Sequence, residues 1–401
     1  MSQQRTYLDW NATAPLRAEA RAAMLAALDV VGNASSPHAE GRRARALIEG
    51  AREAIAAALR VKARHVYFTS GATEAANWLL TPNVQRRAGR GPLALLLAGA
   101  TEHAAILNGH RFPAAAVELI PVDGDGLIEL GWLEARLAEA VARHGAGAVM
   151  VAVQAANNET GVLQPLARLG ALTTAAGALF VCDAVQALGR APVDSAALGS
   201  GALILSGHKL GGPQGIGAAI VLGEDLHFEP LLRGGGQERR LRSGTENIVA
   251  IAGLAAAVVA ALSDQQAVAA HGLALQQRFE QGLSRVRGDA VVFAAAAPRL
   301  ANTTCFALPG IAAETALIAL DLAGVAVSSG SACSSGKVAR SHVLEAMQVE
   351  AGLASAALRL SSGRTTGLAQ IDACLAALAQ IERAHARRHP QPAKPAQRKV
   401  A

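Results

Sequence analysis

Short apolar runs alternate with amphipathic stretches along about the first 260 residues of this chain. Apolar residues at helical spacing predict helices at Leu16–Leu28, Ala39–Leu59, Thr73–Arg87, His103–Arg111, Gly131–Arg143 and Pro165–Ala176. Apolar runs predict strands at His65–Phe68, Ala94–Ala98, Ala116–Pro121, Ala148–Val153, Leu179–Cys182, Ala202–Leu205 and Ala218–Leu222. This alternation favours an α/β fold with a largely parallel sheet, in which ligands bind at the carboxyl ends of the strands.

The pattern changes near residue 263, after which a smaller α+β domain is predicted. Its predicted helices are Ser263–Arg287, Ala312–Leu322, His342–Met347 and Leu368–Ala386, with strands near Val291 and Thr303 and at Ala356–Leu360. The predicted boundaries are a large domain at 15–260, a small domain at 1–14 and 261–388, and a disordered, proline-rich basic tail at 389–401. The longest apolar run, Ile248–Leu262, is too short to span a bilayer and predicts a buried helix.

Composition narrows the classes of function. The chain has 401 residues, of which only 3% are aromatic, and this argues against modules that stack on nucleic-acid bases. Its net charge of +6 comes from residues 383–401, which hold six lysines and arginines and no acid, so the folded body is neutral. We therefore expect no direct nucleic-acid partner.

The cysteines and the N-terminus indicate the compartment. The four cysteines form no C-x-x-C pair, which fits a reducing compartment; they are Cys182, Cys305, Cys333 and Cys374. The N-terminus lacks the apolar core of a signal peptide. We expect a cytoplasmic protein with no membrane association.

The turn Ser206-Gly207-His208-Lys209, between two apolar strands, is the centre of the candidate chemistry. A lysine held between buried strands is costly to desolvate as an ammonium, so its amine can become nucleophilic. A Schiff-base lysine requires this property, and pyridoxal phosphate is the common cofactor that uses one. Ser206 and His208 could bind its phosphate. From spacing alone, the alternative is a solvated lysine on a surface turn.

Two further turns follow predicted strands and could contact the same cofactor. Residues 68–74 combine a tight turn with a helix start, where backbone N–H groups and the Thr73 hydroxyl would form a phosphate site. The alternative there is an ordinary helix capping box. His103 could stack on a planar cofactor or carry a proton, and its alternative role is also to cap a helix.

Amide and acidic residues follow two more predicted strands. Asn158 lies among two amides and an acid, and it could hydrogen-bond a cofactor hydroxyl or stabilise a turn. Asp183 ends an apolar strand, where a carboxylate would suit a protonated pyridinium nitrogen and keep the ring an electron sink. Gln186 could contact the ring oxygen. The alternative for Asp183 is a cap of the following helix.

Three motifs lie further along the chain. Residues 242–247 could supply another phosphate contact, although a helix-capping loop is the more ordinary interpretation. The predicted mobile loop, 328–340, contains small residues and Cys333, and a nucleophilic or sulfur-carrying thiol would lie in such a place, although most surface cysteines are inert. Arg359 could bind a substrate carboxylate through two N–H groups, or form a surface salt bridge.

Taken together, these motifs resemble one known family. In chain order they are SGATE, TEH, NNETG, DAVQ, SGHK, RSGTEN, SSGSAC and RLSSGR. From Tyr7 to about Leu375 the chain is similar to cysteine desulfurases of the nitrogenase and iron–sulfur-cluster type, in the class V aminotransferase family of pyridoxal-phosphate enzymes. The resemblance implies a pyridoxal-phosphate-dependent transferase fold of type I, with a large, mostly parallel domain and a smaller α+β domain.

The resemblance also implies a role for each candidate residue. Lys209 would carry pyridoxal 5'-phosphate as a Schiff base and, with His103, would move protons. The other cofactor contacts would be His103 on the ring, Asp183 at its nitrogen, Asn158 and Gln186 at its substituents, and Ala72, Thr73, Ser206 and His208 at the phosphate. Thr245 would reach the phosphate of the neighbouring subunit in a homodimer. Arg359 and Asn158 would bind the L-cysteine substrate.

Cys333 would accept the sulfur as a persulfide while L-alanine leaves. The sulfur would then pass to an iron–sulfur scaffold or another sulfur-acceptor protein, for cluster assembly, thio-cofactor synthesis or tRNA thiolation. Cys333 is also a candidate ligand of a transient iron–sulfur cluster.

The chain departs from the family pattern at Trp10 and Ala14, at residues 338–340 and in the basic tail, and these departures bear on partner docking rather than on the chemistry. One alternative is another enzyme of this fold, such as a selenocysteine lyase or a class V transaminase; Cys333 counts against a transaminase. The other is a non-catalytic scaffold or sulfur-relay protein, against which Lys209 and Asp183 count.

Overall fold

The computed structural model describes residues 5–85, 91–330 and 340–388. In these ranges the strands are β1 (Thr6–Tyr7), β2 (Val66–Thr69), β3 (Val84–Gln85), β4 (Leu95–Gly99), β5 (Val117–Ile120), β6 (Val149–Gln154), β7 (Leu179–Asp183), β8 (Ala202–Ser206), β9 (Gly217–Val221), β10 (His227–Phe228), β11 (Val291–Val292), β12 (Thr303–Ala307), β13 (Val325–Ala326), β14 (Ser328–Ser329) and β15 (Ala357–Ser361). The helices are α1 (Ala18–Leu28), α2 (Ala39–Leu59), α3 (Ala72–Leu79), α4 (Ala104–Leu107), α5 (Leu130–His144), α6 (Leu166–Ala175), α7 (Ile248–Ser263), α8 (Gln265–Val286), α9 (Ala313–Leu322), α10 (His342–Ala346), α11 (Ala351–Ser355) and α12 (Leu368–Arg388).

The largest sheet of the described chain has seven strands in the order β2-β9-β8-β7-β6-β4-β5. β9 runs antiparallel to its neighbours β2 and β8, and the other pairings are parallel. Every residue of β4, β6, β8 and β9 is buried, because helices cover both faces of the sheet. The predicted mostly parallel sheet is therefore confirmed.

Helix α7 is the apolar helix that the sequence predicts at Ile248–Leu262, and half of its residues are buried. It packs against α1 and α2 beside the large sheet. Its contact with α1 is close, since a Cβ placed on Gly253 would lie 2.7 Å from Met24 Cγ. No single helix of the described ranges has both the length and the apolarity of a membrane span; α7 and α8 together pass that test but are bent by 68°.

A second sheet, β11-β12-β15-β14, is antiparallel throughout. Helices α8, α9 and α12 contribute to its separate apolar core, which includes Leu8, Phe279, Phe306 and Leu360. Strand β1 pairs with β13, so the beginning of the described chain lies beside this smaller unit. The predicted fold class is confirmed, whereas the boundaries at 15–260, 1–14 and 261–388 stay a prediction.

Two predicted helices are too long. The helix predicted at Thr73–Arg87 ends at Leu79, because Pro82 cannot continue a helix and the chain then enters β3. The helix predicted at His103–Arg111 ends at Leu107, where the poor helix formers of an Asn-Gly pair follow.

Candidate active site

The carboxyl ends of β6, β7 and β8 border a cavity of about 470 Å³. Residues from distant parts of the sequence line it, and ten of them are predicted site residues: Ala72, Thr73, His103, Asn158, Asp183, Gln186, Ser206, His208, Lys209 and Arg359. Thr245 is exposed and is not among the lining residues. Cys333 lies outside the described residues.

Lys209 ends a short helical turn that follows β8, and its side chain reaches into the cavity. Its ammonium donates hydrogen bonds to the carbonyl oxygens of Asn11, at 2.6 Å, and Ala12, at 2.8 Å. The residue is half-buried, so the alternative of a solvated surface lysine is wrong. The sequence did not reveal the role of Asn11. Lys209 donates to its main-chain carbonyl oxygen, and every residue type has such an oxygen.

Arg190 is a second residue that sequence reasoning missed. Its guanidinium donates to the carbonyl oxygen of Lys209 and to Asn11 Oδ1, both at 3.0 Å, and it also contacts the side chain of Gln186. Gln186 in turn donates to the carbonyl oxygen of Asn11 at 3.0 Å. Burial lowers the pKa of Arg190 to about 10, and it remains a cation at neutral pH. Arg190 therefore holds the backbone of Lys209 in place from outside the cavity.

Asp183 is the last residue of β7 and faces the cavity. Its Oδ1 accepts a hydrogen bond from the Val185 N–H at 2.9 Å. Desolvation raises the pKa of Asp183 to about 6, against the opposing charge of Lys209. Residues 185–190 form turns, so the carboxylate stabilises a turn instead of capping the predicted helix. A cationic ring nitrogen placed beside this carboxylate would favour its charged form.

Two histidines border the cavity in their neutral form. His103 Nδ1 accepts the Ala105 N–H at 3.0 Å and so caps α4, while the same ring lines the cavity. Burial lowers the pKa of His103, and the charges of Lys209 and His342 lower it further. Burial, with Lys209 next, lowers the pKa of His208 to about 4. A neutral imidazole can take up a proton or donate one N–H, and both properties suit the predicted roles.

The start of α3, at one end of the cavity, has the features of an anion-binding site. Gly71 precedes the helix, no side chain caps it, and a Cβ placed on Gly71 would meet no atom within 4 Å. Glu74 reaches back to the Ser70 N–H at 2.9 Å, so a part of the predicted capping box is present as well. The helix N-terminus with the hydroxyls of Thr73 and Ser206 is a donor set that suits a phosphate.

Arg359 enters the cavity from β15 of the smaller sheet and is only 2% exposed. Its Nη2 donates to Asp9 Oδ1 at 2.6 Å and its Nη1 to the carbonyl oxygen of Asn158 at 2.9 Å. The Arg359 end of this salt bridge is buried and Asp9 is largely shielded, so the surface alternative is wrong. The buried Nε of Arg359 has no hydrogen-bond partner among the described residues. An acceptor oxygen brought by a substrate would satisfy this donor.

Two predictions remain, namely the role of residues 242–247 and the presence of a metal ligand. Asn247 caps α7 by accepting the Ala250 N–H at 3.0 Å, which supports the capping interpretation of residues 242–247. The described residues hold no group of three or more histidine, cysteine or acidic side chains arranged for a metal. Cys333, the candidate cluster ligand, falls outside those residues.

The cavity residues fit pyridoxal phosphate. They combine an amine for the aldehyde, a carboxylate for the ring nitrogen, an imidazole for the ring face and a helix N-terminus for the phosphate. Each of these groups comes from a different strand end of one sheet. The donor set was predicted residue by residue, and the fold brings its members to one cavity.

Comparisons with known proteins agree with this fit. The model of the aminotransferase class-V family matches residues 6–374. The chain is 39% identical to a cysteine desulfurase of Cereibacter sphaeroides, over 94% of this chain and 96% of that protein. It is 37% identical to an IscS-like cysteine desulfurase of Mycobacterium tuberculosis, over 93% and 95%. A NifS-like protein from Rickettsia africae has a similar structure, with a TM-score of 0.84, 33% identity and coverage of 94% of this chain and 99% of that one.

Proposed function

The chain belongs to the class V aminotransferase family, and from this premise we propose that it is a cysteine desulfurase that depends on pyridoxal 5'-phosphate. It removes sulfur from L-cysteine, releases L-alanine and holds the sulfur as a persulfide on Cys333. One cavity carries the proposal. It is lined by Lys209, by Asp183 and by the start of α3, and it is also lined by Arg359, whose buried Nε has no hydrogen-bond partner among the described residues.

The cofactor is held by residues of the large sheet. Lys209 would bind its aldehyde carbon, and Asp183 would pair with its ring nitrogen. The start of α3 and the side chains of Thr73, Ser206 and His208 would donate hydrogen bonds to its phosphate. When bound, pyridoxal phosphate supplies a cationic ring that withdraws electrons from the substrate Cα.

The substrate carboxylate binds to Arg359. Asp9 holds one end of the guanidinium, and the Asn158 carbonyl oxygen holds the same group from another side, so its orientation is set before substrate arrives. The unpartnered Nε gains an acceptor when a carboxylate binds. This preorganisation favours a small α-amino acid whose carboxylate points toward β15.

Lys209 and His103 move the protons. The carbonyl oxygens of Asn11 and Ala12, both on the cavity wall, would hold the Lys209 ammonium whenever it is not bonded to the cofactor. Burial and the charge of Lys209 lower the pKa of His103, so its ring is neutral at neutral pH. Because Nδ1 accepts the Ala105 N–H, the neutral ring carries its proton on Nε2 and can donate it from there.

Cys333 is the nucleophile toward sulfur. Its thiolate attacks the substrate sulfur, an S–S bond forms and the C–S bond breaks. The bond pair stays with the substrate carbon, which takes up a proton and leaves as L-alanine. Burial raises the thiol pKa of each described cysteine, and this supports Cys333 as the reactive one; the three are Cys182, Cys305 and Cys374.

The proposal includes a homodimer in the cytoplasm. Thr245 is exposed and outside the cavity of its own chain, as a residue that serves the phosphate of a second subunit would be. The persulfide sulfur passes to an acceptor protein of an iron–sulfur, thio-cofactor or tRNA thiolation pathway.

An absorbance scan of the purified protein before and after L-cysteine, with sulfide and alanine assayed in the same samples, tests this function. We expect a visible cofactor band that shifts on cysteine, with sulfide and alanine produced by the wild type and lost in Cys333→Ala. A yellow protein that makes neither product would contradict the desulfurase and favour a lyase or transaminase of the same fold. A protein that stays colourless with added cofactor would favour a non-catalytic role.

A further inference from the structure

Glu159 lies beside both ends of the segment that carries Cys333. That segment, 331–339, lies outside the described residues and follows Gly330. On the far side of the segment, the Ser341 hydroxyl donates a hydrogen bond to Glu159 Oε2 at 2.5 Å. On the near side, a Cβ placed on Gly330 would lie 3.6 Å from the same oxygen. One buried carboxylate therefore bonds to a residue on one side of the segment and lies close to a residue on the other.

The turn that presents Glu159 is rigid. Asn157 Oδ1 accepts the N–H groups of Glu159, at 2.8 Å, and Thr160, at 2.9 Å. The Asn157 amide also donates to the carbonyl oxygen of Thr101 at 3.1 Å. All four residues are buried. Because Asn158 of this turn lines the cavity, the turn joins the substrate side of the site to the ends of the segment.

Ser341 and His342 each make one further contact at the far end of the segment. Ser341 Oγ accepts the Leu344 N–H at 3.1 Å and so caps α10. The neighbouring His342 donates from Nε2 to the carbonyl oxygen of Glu102 at 2.8 Å. The start of α10 is thus bound to both turns, after β4 and after β6, that present predicted site residues to the cavity.

The near end of the segment is held by β15, the strand that contains Arg359. Strand β14 pairs with β15, and Ser328 lies opposite Arg359. The N–H of Gly330 then donates to the carbonyl oxygen of Ala357 at 3.1 Å. Both ends of the segment are therefore fixed relative to the groups that would bind L-cysteine.

We propose that Glu159 is a positioning residue for sulfur transfer, which binds Ser341 and so sets how Cys333 approaches the substrate sulfur. The inference rests on the proposed function, since it takes Cys333 as the sulfur acceptor. Glu159 is not among the residues that line the cavity, so it acts through Ser341 and not on the substrate itself. The titratable side chains that act on it electrostatically are Arg359 and Cys305, both buried.

Glu159→Ala and Ser341→Ala, each as cofactor-loaded protein, test the inference. L-Cysteine is added for a single turnover, the reaction is stopped with a thiol-alkylating reagent, and the persulfide on Cys333 is measured by mass spectrometry. The shift of the cofactor band in the same samples reports cysteine binding. We expect persulfide formation to slow by about 10- to 100-fold, because small misplacements of a reacting group cost this much. Cysteine affinity and cofactor content stay at the wild-type level.

Conservative and control variants separate positioning from general damage. Ser341→Thr keeps the hydroxyl and restores persulfide formation. Glu350→Ala removes a carboxylate that caps α11 through the Gly352 and Leu353 N–H groups, without touching the segment, and leaves persulfide formation unchanged.

Wild-type rates in both alanine variants would overturn the inference, and so would an equal loss of cofactor content and cysteine affinity. If Glu159→Ala fails to fold, the comparison of Ser341→Ala with Ser341→Thr decides alone. A wild-type protein that makes no persulfide under these conditions would instead overturn the proposed function, and this inference with it.

Discussion

The guanidinium of Arg359 donates to the carboxylate of Asp9 across 2.6 Å, although 350 positions separate the two residues in the chain. Arg359 is in β15 of the smaller sheet, and Asp9 follows β1, which pairs with β13. Both partners are shielded from water, with side chains 2% and 17% exposed. The pair therefore fixes the orientation of the arginine that we assign to the substrate carboxylate.

Asp9→Asn should raise the KM for L-cysteine by about tenfold, since the guanidinium loses a charged partner and its fixed orientation. Arg359→Lys should raise it more, by about 100-fold, because an ammonium cannot form two parallel hydrogen bonds with a carboxylate. Steady-state alanine formation by cofactor-loaded protein measures both effects. Asp321→Asn is the control, since the ion pair of Asp321 with Arg5 is exposed and contributes little free energy. We expect it to leave the KM unchanged. An unchanged KM in Asp9→Asn would show that Asp9 does not orient the arginine.

Asp183→Asn should lower kcat by about 100- to 1000-fold, because a neutral amide no longer stabilises a cationic ring. The amide keeps the size of the side chain and can still accept the Val185 N–H, so the turn should survive. The cofactor band should move as the ring loses its proton, and this readout does not depend on turnover. Asp183→Glu, which keeps the carboxylate, should retain more activity. A full rate in Asp183→Asn would place the ring nitrogen elsewhere.

Glu238→Gln should lower the free energy of unfolding by up to about 3–5 kcal/mol, because it removes the buried partner of the Arg52 cation. Among the described residues, Arg52 then keeps only Glu49 as a charged partner, at 3.1 Å and half-exposed. The two side chains form two hydrogen bonds, at 2.8 and 2.9 Å, and are only 4% and 1% exposed. Urea unfolding measures the loss. The double variant with Arg52→Met should lose less than the sum of the two single variants, since the buried cation is then absent.

The matched control for that pair is Glu224→Gln in the same region. Glu224 pairs with Lys62 and Arg64, but these side chains are more than half exposed. Removing this carboxylate should cost far less stability than removing Glu238, because solvent and salt screen an exposed ion pair. Equal losses at Glu238 and Glu224 would show that burial adds nothing to the first pair.

Strands and the turns after them were predictable because each follows from local sequence. A strand buried on both faces is a continuous apolar run, as in β6 and β8, and a polar turn must follow where the chain leaves the sheet. Since parallel strands share one carboxyl edge, these turns had to meet. Asp183 and Lys209 reach one cavity for this reason.

The contacts that hold the site in place were not predictable, because they depend on tertiary packing. Ser341 and Glu159 form a hydrogen bond although 182 positions separate them in the chain. Neither residue belongs to a periodic sequence pattern from which this contact could be predicted. Arg190 acts on main-chain oxygens, which carry no sequence signal. The end of α3 was mispredicted for a different reason, since apolar periodicity was followed past Pro82 where the proline should have stopped it.

Glu159→Gln should make the protein's stability less dependent on pH. Burial raises the pKa of Glu159 to about 7, and the Ser341 hydrogen bond and the Arg359 charge only partly oppose this. The folded chain therefore binds this proton more tightly than the unfolded chain, whose glutamate titrates near pH 4.5. The stability that Glu159 contributes is present at acid pH and is lost as pH rises through about 7.

Because glutamine does not titrate, the free energy of unfolding of Glu159→Gln relative to wild type should increase between about pH 5 and about pH 8, by at most ~3 kcal/mol. Urea unfolding at several pH values in this range measures the difference. Asp183 and His208 titrate in both proteins, so their contributions cancel in the comparison. Two parallel stability curves would mean that Glu159 is ionised throughout, and its bond to Ser341 would then be charged at every pH of the range.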